Sequence, residues 1–78
     1  MNELSDFEEM YLKRMFEIHS DQPSAIVKTS MLADSMGVSA ASTTEMIQRL
    51  AGRDLVTYIP YKGSRLTAEG FTIAGKIK

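Results

Sequence analysis

The sequence predicts a mainly helical α+β fold: a three-helix core, a two-stranded wing and a C-terminal helix. Three observations carry this reading. Two short amphipathic segments meet at Gly37 with almost no turn between them. A β-prone run of strand length, Leu55-Val56-Thr57-Tyr58-Ile59, follows them directly. Pro60 ends that run, and Tyr61-Lys62-Gly63-Ser64 has the composition of a hairpin tip, with glycine available for a positive φ. A helix-turn-helix followed at once by a hairpin is a winged helix-turn-helix, expected here to occupy residues 5–78 as one domain.

Each element has its own signal. Ser5-Asp6-Phe7-Glu8 has the capping-box spacing and predicts a first helix from Asp6 to about His19. Phe7, Tyr11, Met15 and Ile18 form one apolar side, and Leu12, Phe16 and Met10 widen it. One face suffices for a core, so the extra width points to a second contact surface. Residues 19–24 read as a turn, with Asp21 and Pro23 as breakers. Ala25-Ile26-Val27 is expected as a short strand supporting the wing, with Thr29 or Ser30 capping the second helix.

That second helix has Met31, Leu32 and Met36 as its inner face, and Gly37 stops it in the left-handed conformation. Val38 is expected to pack inward at the corner, and Ser39 to cap a third helix that buries Met46, Ile47 and Leu50. Arg65-Leu66-Thr67 returns as the second strand of the wing. Thr67 then caps a final helix over residues 68–77, with Phe71, Ala74 and Ile77 inward and Gly70 and Gly75 weakening it.

The third helix carries the functional signal. Ala41, Ser42, Thr44 and Glu45 are small or polar and lie on its opening turns, where a helix N-terminus approaches base edges without clash. Ser39, Ala41, Ser42, Thr44 and Glu45 are therefore expected in the major groove of double-stranded DNA. Thr29, Ser30 and Arg49 are expected on flanking phosphates, and Lys62 and Arg65 of the wing on phosphates beside the groove. Operator DNA would thus be read with helix 39–53 and wing 55–67.

Two other functional classes compete with this reading. Paired helices with a glycine turn also occur in domains that never touch DNA, and cations on a hairpin can be ordinary solvated charges. A winged helix used only for protein contacts, or as a stand-alone, metal-independent regulator, is the alternative. Glu45 gives it room, because a carboxylate repels phosphates, although it can accept from a cytosine amino group. An enzyme is not expected: the chain has no cysteine and one histidine, and it shows no phosphate loop and no supported pair of carboxylates.

Composition sets further bounds. Seventy-eight residues allow one domain with a small core. The absence of cysteine excludes disulfides and thiolate metal sites. No apolar run is long enough to span a bilayer and no signal-peptide pattern opens the chain, so a soluble cytoplasmic protein is expected. The formal net charge of −1 argues by itself against nucleic acid, but the charges are unevenly placed. Residues 1–21 hold six acids and two bases, a balance of −4; residues 22–78 hold seven bases and four acids, a balance of +3. The half with the helix-turn-helix and wing is the basic half.

Several segments carry a family resemblance: Glu9-Met10-Tyr11-Leu12, Leu32-Ala33-Asp34, Gly37-Val38-Ser39, Ser42-Thr43-Thr44-Glu45-Met46, Tyr61-Lys62-Gly63 and Leu66-Thr67-Ala68-Glu69-Gly70. In this order and spacing the chain resembles the N-terminal DNA-binding domain of the diphtheria-toxin-repressor family, the iron- and manganese-dependent repressors. The wing followed by Leu-Thr-x-Glu-Gly is the most specific piece. The resemblance implies a metal-activated, iron-type transcriptional repressor, with Fe²⁺ or Mn²⁺ as the cofactor of a longer protein. It places Met10 at the first-helix metal ligand of the iron-type members. Manganese-type members carry aspartate there and a glutamate three residues on, where this chain has Lys13.

The other ligands implied by the resemblance would lie beyond Lys78, so no cofactor is expected in this chain. A lone thioether does not hold Fe²⁺, and Met10 reads as a core or interface methionine. Glu8, Glu9 and His19 read as a solvated helix face. Two accounts of the length stand side by side, an excised N-terminal domain or a natural one-domain relative without metal sensing. The stop inside the Gly75-Lys76-Ile77-Lys78 helix favours excision. Any homodimer would rest on the broad apolar face of the first helix and be weak.

Overall fold

The computed structural model describes residues 4–22 and 25–77. Along them run α1 (Asp6–Asp21), α2 (Thr29–Met36), α3 (Ala40–Gly52), β1 (Val56–Ile59), β2 (Gly63–Leu66) and α4 (Ala68–Lys76). The expected breaker Pro23, its neighbour Ser24 and the final Lys78 lie outside the described residues.

The capping box at the start of α1 is present: Ser5 Oγ accepts from the Glu8 N–H at 3.1 Å, and Glu8 Oε1 accepts from the Ser5 N–H at 2.8 Å. The helix runs two residues past His19 because His19 faces inward. It is 2% exposed, and its Nε2 donates to the Ala25 carbonyl at 2.9 Å, tying the helix end to the chain that leads into α2. Glu8 is also buried, at 5% exposure, with its carboxylate 3.3 Å from Arg53 Nη1. The solvated-face reading of Glu8 and His19 is therefore corrected; each is buried against a polar partner outside its own helix, Arg53 for Glu8 and the Ala25 carbonyl for His19. Glu9 is half-buried.

The core is drawn from every element: Leu12 and Met15 of α1, Leu32 of α2, Ile47 and Leu50 of α3, Leu55 before β1, and Ala74 of α4. The inner face of α1 is narrower than expected, since Phe7 and Met10 are exposed and Tyr11, Leu12 and Met15 do the burying. On α2 the inward pair is Leu32 and Ala33; Met31 is 47% exposed. The N-cap of α2 is Lys28, with no side-chain hydrogen bond, so neither Thr29 nor Ser30 caps it; both belong to the first turn.

β1 and β2 pair antiparallel, with Val56 opposite Leu66 and Ile59 opposite Gly63. The turn is tighter than the sequence suggested: Lys62 N–H donates to the Ile59 carbonyl at 3.0 Å, and β2 starts at Gly63 rather than Arg65. Tyr61, not only glycine, takes positive φ there, at 67°. Such a conformation costs a non-glycine residue about 1 kcal/mol. The supporting strand expected over Ala25-Ile26-Val27 reduces to one bridge, Val27 to Ser64, with hydrogen bonds of 2.8 and 2.9 Å. Gly63 belongs at that crossing, because a Cβ on it would overlap the Val27 carbonyl.

α4 begins at Thr67, whose Oγ1 accepts from the Gly70 N–H at 2.9 Å and donates to the Asp54 carbonyl at 2.7 Å. Gly70 is a packing requirement rather than a weakness, since a Cβ there would overlap the Leu55 carbonyl. Phe71 is more exposed than expected and lies against Phe16 with ring centroids 4.8 Å apart, in the contact between α1 and α4.

Candidate nucleic-acid interface

The turn of the helix-turn-helix is built from local contacts. Gly37 takes φ 72°, its N–H reaches the Asp34 carbonyl at 3.2 Å, and the Val38 N–H reaches the Ala33 carbonyl at 3.1 Å. Ser39, in extended conformation, then caps α3: its Oγ accepts from the Ser42 N–H at 3.1 Å and donates to Ser42 Oγ at 3.0 Å. Only three residues separate α2 from α3, and most of the first turn of α3 is left exposed.

Ser39, Ala41, Ser42 and Glu45 are exposed on that turn, and Thr44 is half-buried. Arg49 is exposed one turn further along. Below them, Thr43, Ile47 and Leu50 form the buried side of α3. Met46 is only partly buried and packs at the edge of the core. Thr43 is the residue that apolar patterning missed. It is fully buried, and its Oγ1 lies 3.2 Å from Tyr11 Oη, so α1 holds the opening turn of α3 from beneath.

Thr29, Ser30 and Lys62 come together. They line a groove of about 620 Å³ between the start of α2 and the wing. The same groove is lined by Ile26, Lys28, Tyr58 and Tyr61, none of which the sequence reading singled out. Arg65 stands apart from it. It pairs with Thr57 while Ser64 pairs with Tyr58, so Arg65 is exposed on the opposite face of the ribbon from Tyr58.

Met10 lies outside this surface. It is 52% exposed on α1 and borders a groove of about 230 Å³ with Lys13, Arg14, Glu17 and Met36. The single carboxylate there, Glu17, pairs with Arg14 at 3.6 Å. One engaged carboxylate, two thioethers and two cations do not fit a hard divalent metal. Among the described residues no cluster of three His, Cys, Asp or Glu could hold one. Among them, too, no helix is long and apolar enough to cross a membrane.

Comparison with known proteins agrees with this geometry. ScaR, in a structure with bound Zn²⁺, superposes with a TM-score of 0.69 at 27% identity, over 86% of this chain and 30% of ScaR. The manganese regulator SloR superposes with a TM-score of 0.66 at 33% identity, again over 86% of this chain and 30% of the other. The chain thus spans about 30% of the length of these two proteins. CymR, the global cysteine regulator of B. subtilis, shares the fold alone, at 20% identity and a TM-score of 0.59 over 85% of this chain and 52% of its own. No curated protein matches the chain. Residues 3–64 match the family described as iron dependent repressor, N-terminal DNA binding domain, and with its winged helix-turn-helix in place the chain belongs to that family.

Proposed function

We propose that this chain is the operator-reading unit of a metal-dependent, iron-type transcriptional repressor acting in the cytoplasm. The observation that carries the proposal is the opening turn of α3. It is capped by Ser39, seated from below by the buried Thr43, and leaves Ser39, Ala41, Ser42 and Glu45 exposed, with Thr44 half-buried beside them. Thr29, Ser30 and Arg49 flank it as phosphate contacts, with Lys62 and Arg65 reaching out from the two faces of the wing.

ScaR with bound Zn²⁺ and the manganese regulator SloR support metal dependence for the repressor as a whole. Met10 and its neighbours do not supply that metal site by themselves, so no step of DNA recognition is routed through them. Phe7 and Met10, exposed on α1, support a weak homodimer through that helix.

Selection of preferred duplexes from a random pool, followed by binding measurements on the winner, tests the proposal. Ser42→Leu places a bulky side chain against the base edges while leaving the buried side of α3 untouched. It is expected to abolish the preference for the selected duplex and to keep the parent's helical signal and melting cooperativity. A Ser42→Leu protein that keeps the parent's preference contradicts the orientation of α3.

A further inference from the structure

The tip of the wing holds an aromatic side chain that the fold does not use. Pro60 and Tyr61 are the two central residues of the turn closed by the Lys62 N–H on the Ile59 carbonyl at 3.0 Å. Proline first and positive φ second is the arrangement of a type II turn, whose second central position ordinarily takes glycine. Tyr61 occupies it at φ 67° with its side chain fully exposed, at 105% of the reference area. Backbone strain with no packing in return is characteristic of residues kept for contact with something else.

The ring does not stand alone. Tyr58, on the strand leading to the turn, and Ile26, on the segment leading to α2, are also exposed apolar groups, and they line the same groove of about 620 Å³. Lys28 and Lys62 line it too. A surface that mixes flat apolar groups with cations complements a polymer that alternates apolar sugar faces with anionic phosphates.

We propose that this groove takes the sugar-phosphate backbone of one DNA strand, with the Tyr58 and Tyr61 rings against deoxyribose faces and Lys28 and Lys62 on the flanking phosphates. The inference rests on the DNA-binding reading above and changes its content. The wing contributes contact area as well as charge, and it does so from the Tyr58 face, away from Arg65. Tyr61 is then under two opposed demands, since the turn favours glycine and the DNA contact favours an aromatic ring.

Anisotropy of a fluorescein-labelled, mixed-sequence duplex two helical turns long, measured across a salt series, separates these demands. Tyr61→Gly is expected to keep a cooperative thermal transition close to the parent's and to bind roughly tenfold more weakly, as loss of an interfacial tyrosine does. Its salt slope should equal the parent's, because a ring on a sugar neutralises no phosphate. Lys28→Ala should lower that slope by about one. The chain contains no tryptophan, so Tyr61→Trp adds a single reporter; its emission should change on adding the duplex, with affinity retained. If Tyr61→Gly and Lys28→Ala bind as tightly as the parent while Arg49→Ala still loses affinity, the groove proposal is overturned and the α3 reading survives. A folded parent that binds no duplex at low salt overturns both.

Discussion

Tyr11 Oη and Thr43 Oγ1 lie 3.2 Å apart inside the core, joining α1 to α3 across 32 residues of sequence. Both side chains are buried, so each hydroxyl depends on the other. With the Glu8–Arg53 pair just beyond the other end of α3, this bond fixes the helix against α1 at both ends.

Thr43→Val keeps the shape of the site and leaves Tyr11 Oη buried without its partner. It should lower stability by about 1–3 kcal/mol in urea denaturation. Tyr11→Phe should cost a similar amount, and the double variant should recover most of the loss, since two apolar groups then replace the pair. A double variant that loses the sum of the two single losses would show that the bond contributes nothing specific.

Stability should fall in acid through Glu8. The Ser5 backbone N–H on its carboxylate holds the Glu8 pKa below the ordinary value; burial opposes this, while the Ser5 hydroxyl and Arg53 act with it. A depressed folded pKa means that the stabilisation is complete above the unfolded value and is lost as pH falls through the folded one. Denaturation midpoints should therefore drop as pH falls through and below the ordinary glutamate range, and Glu8→Gln should flatten that part of the curve. An unchanged slope in the Gln variant would place the acid sensitivity elsewhere.

Gly70→Ala is expected to be severe despite adding one methyl group to a helix. The new Cβ would overlap the Leu55 carbonyl, so α4 must shift away from the start of β1. A loss of about 2 kcal/mol or more is expected by thermal or chemical denaturation. Gly52→Ala, with open space around the new atom, should change stability little by comparison.

These residues show where the sequence was legible. Caps and breakers act locally, so Ser5, Gly37, Ser39 and Thr67 could be read from spacing alone, and each stands where expected. The winged topology followed from the order of those signals. Glu8, His19 and Thr43 were misplaced or missed because helical periodicity sorts residues by polarity. Their partners, Arg53, the Ala25 carbonyl and Tyr11, become neighbours only after folding. Gly70 failed for a related reason: helix propensity is a local quantity, whereas the demand for a missing Cβ comes from Leu55. The groove beside the wing was only half legible, since Lys62 is visible as a charge but Tyr61 shows its role only through its φ and exposure.

Metal should make little difference to this chain alone. Titration calorimetry with Fe²⁺ or Mn²⁺ is expected to show no stoichiometric site, because Met10 and Glu17 share their groove with Lys13 and Arg14. Adding metal should leave its affinity for DNA unchanged. A one-to-one micromolar site would contradict this and require donors gathered from a second copy, with Glu9 the first to replace.

The central claim, that α3 and the wing form the DNA face, is tested most directly by amide chemical shifts of the ¹⁵N-labelled chain as duplex DNA is added. Shifts are expected to concentrate at residues 28–30, 39–45, 49 and 58–65, with Phe7, Met10 and the rest of the exposed face of α1 left still. Shifts centred on α1 with α3 unmoved would contradict it.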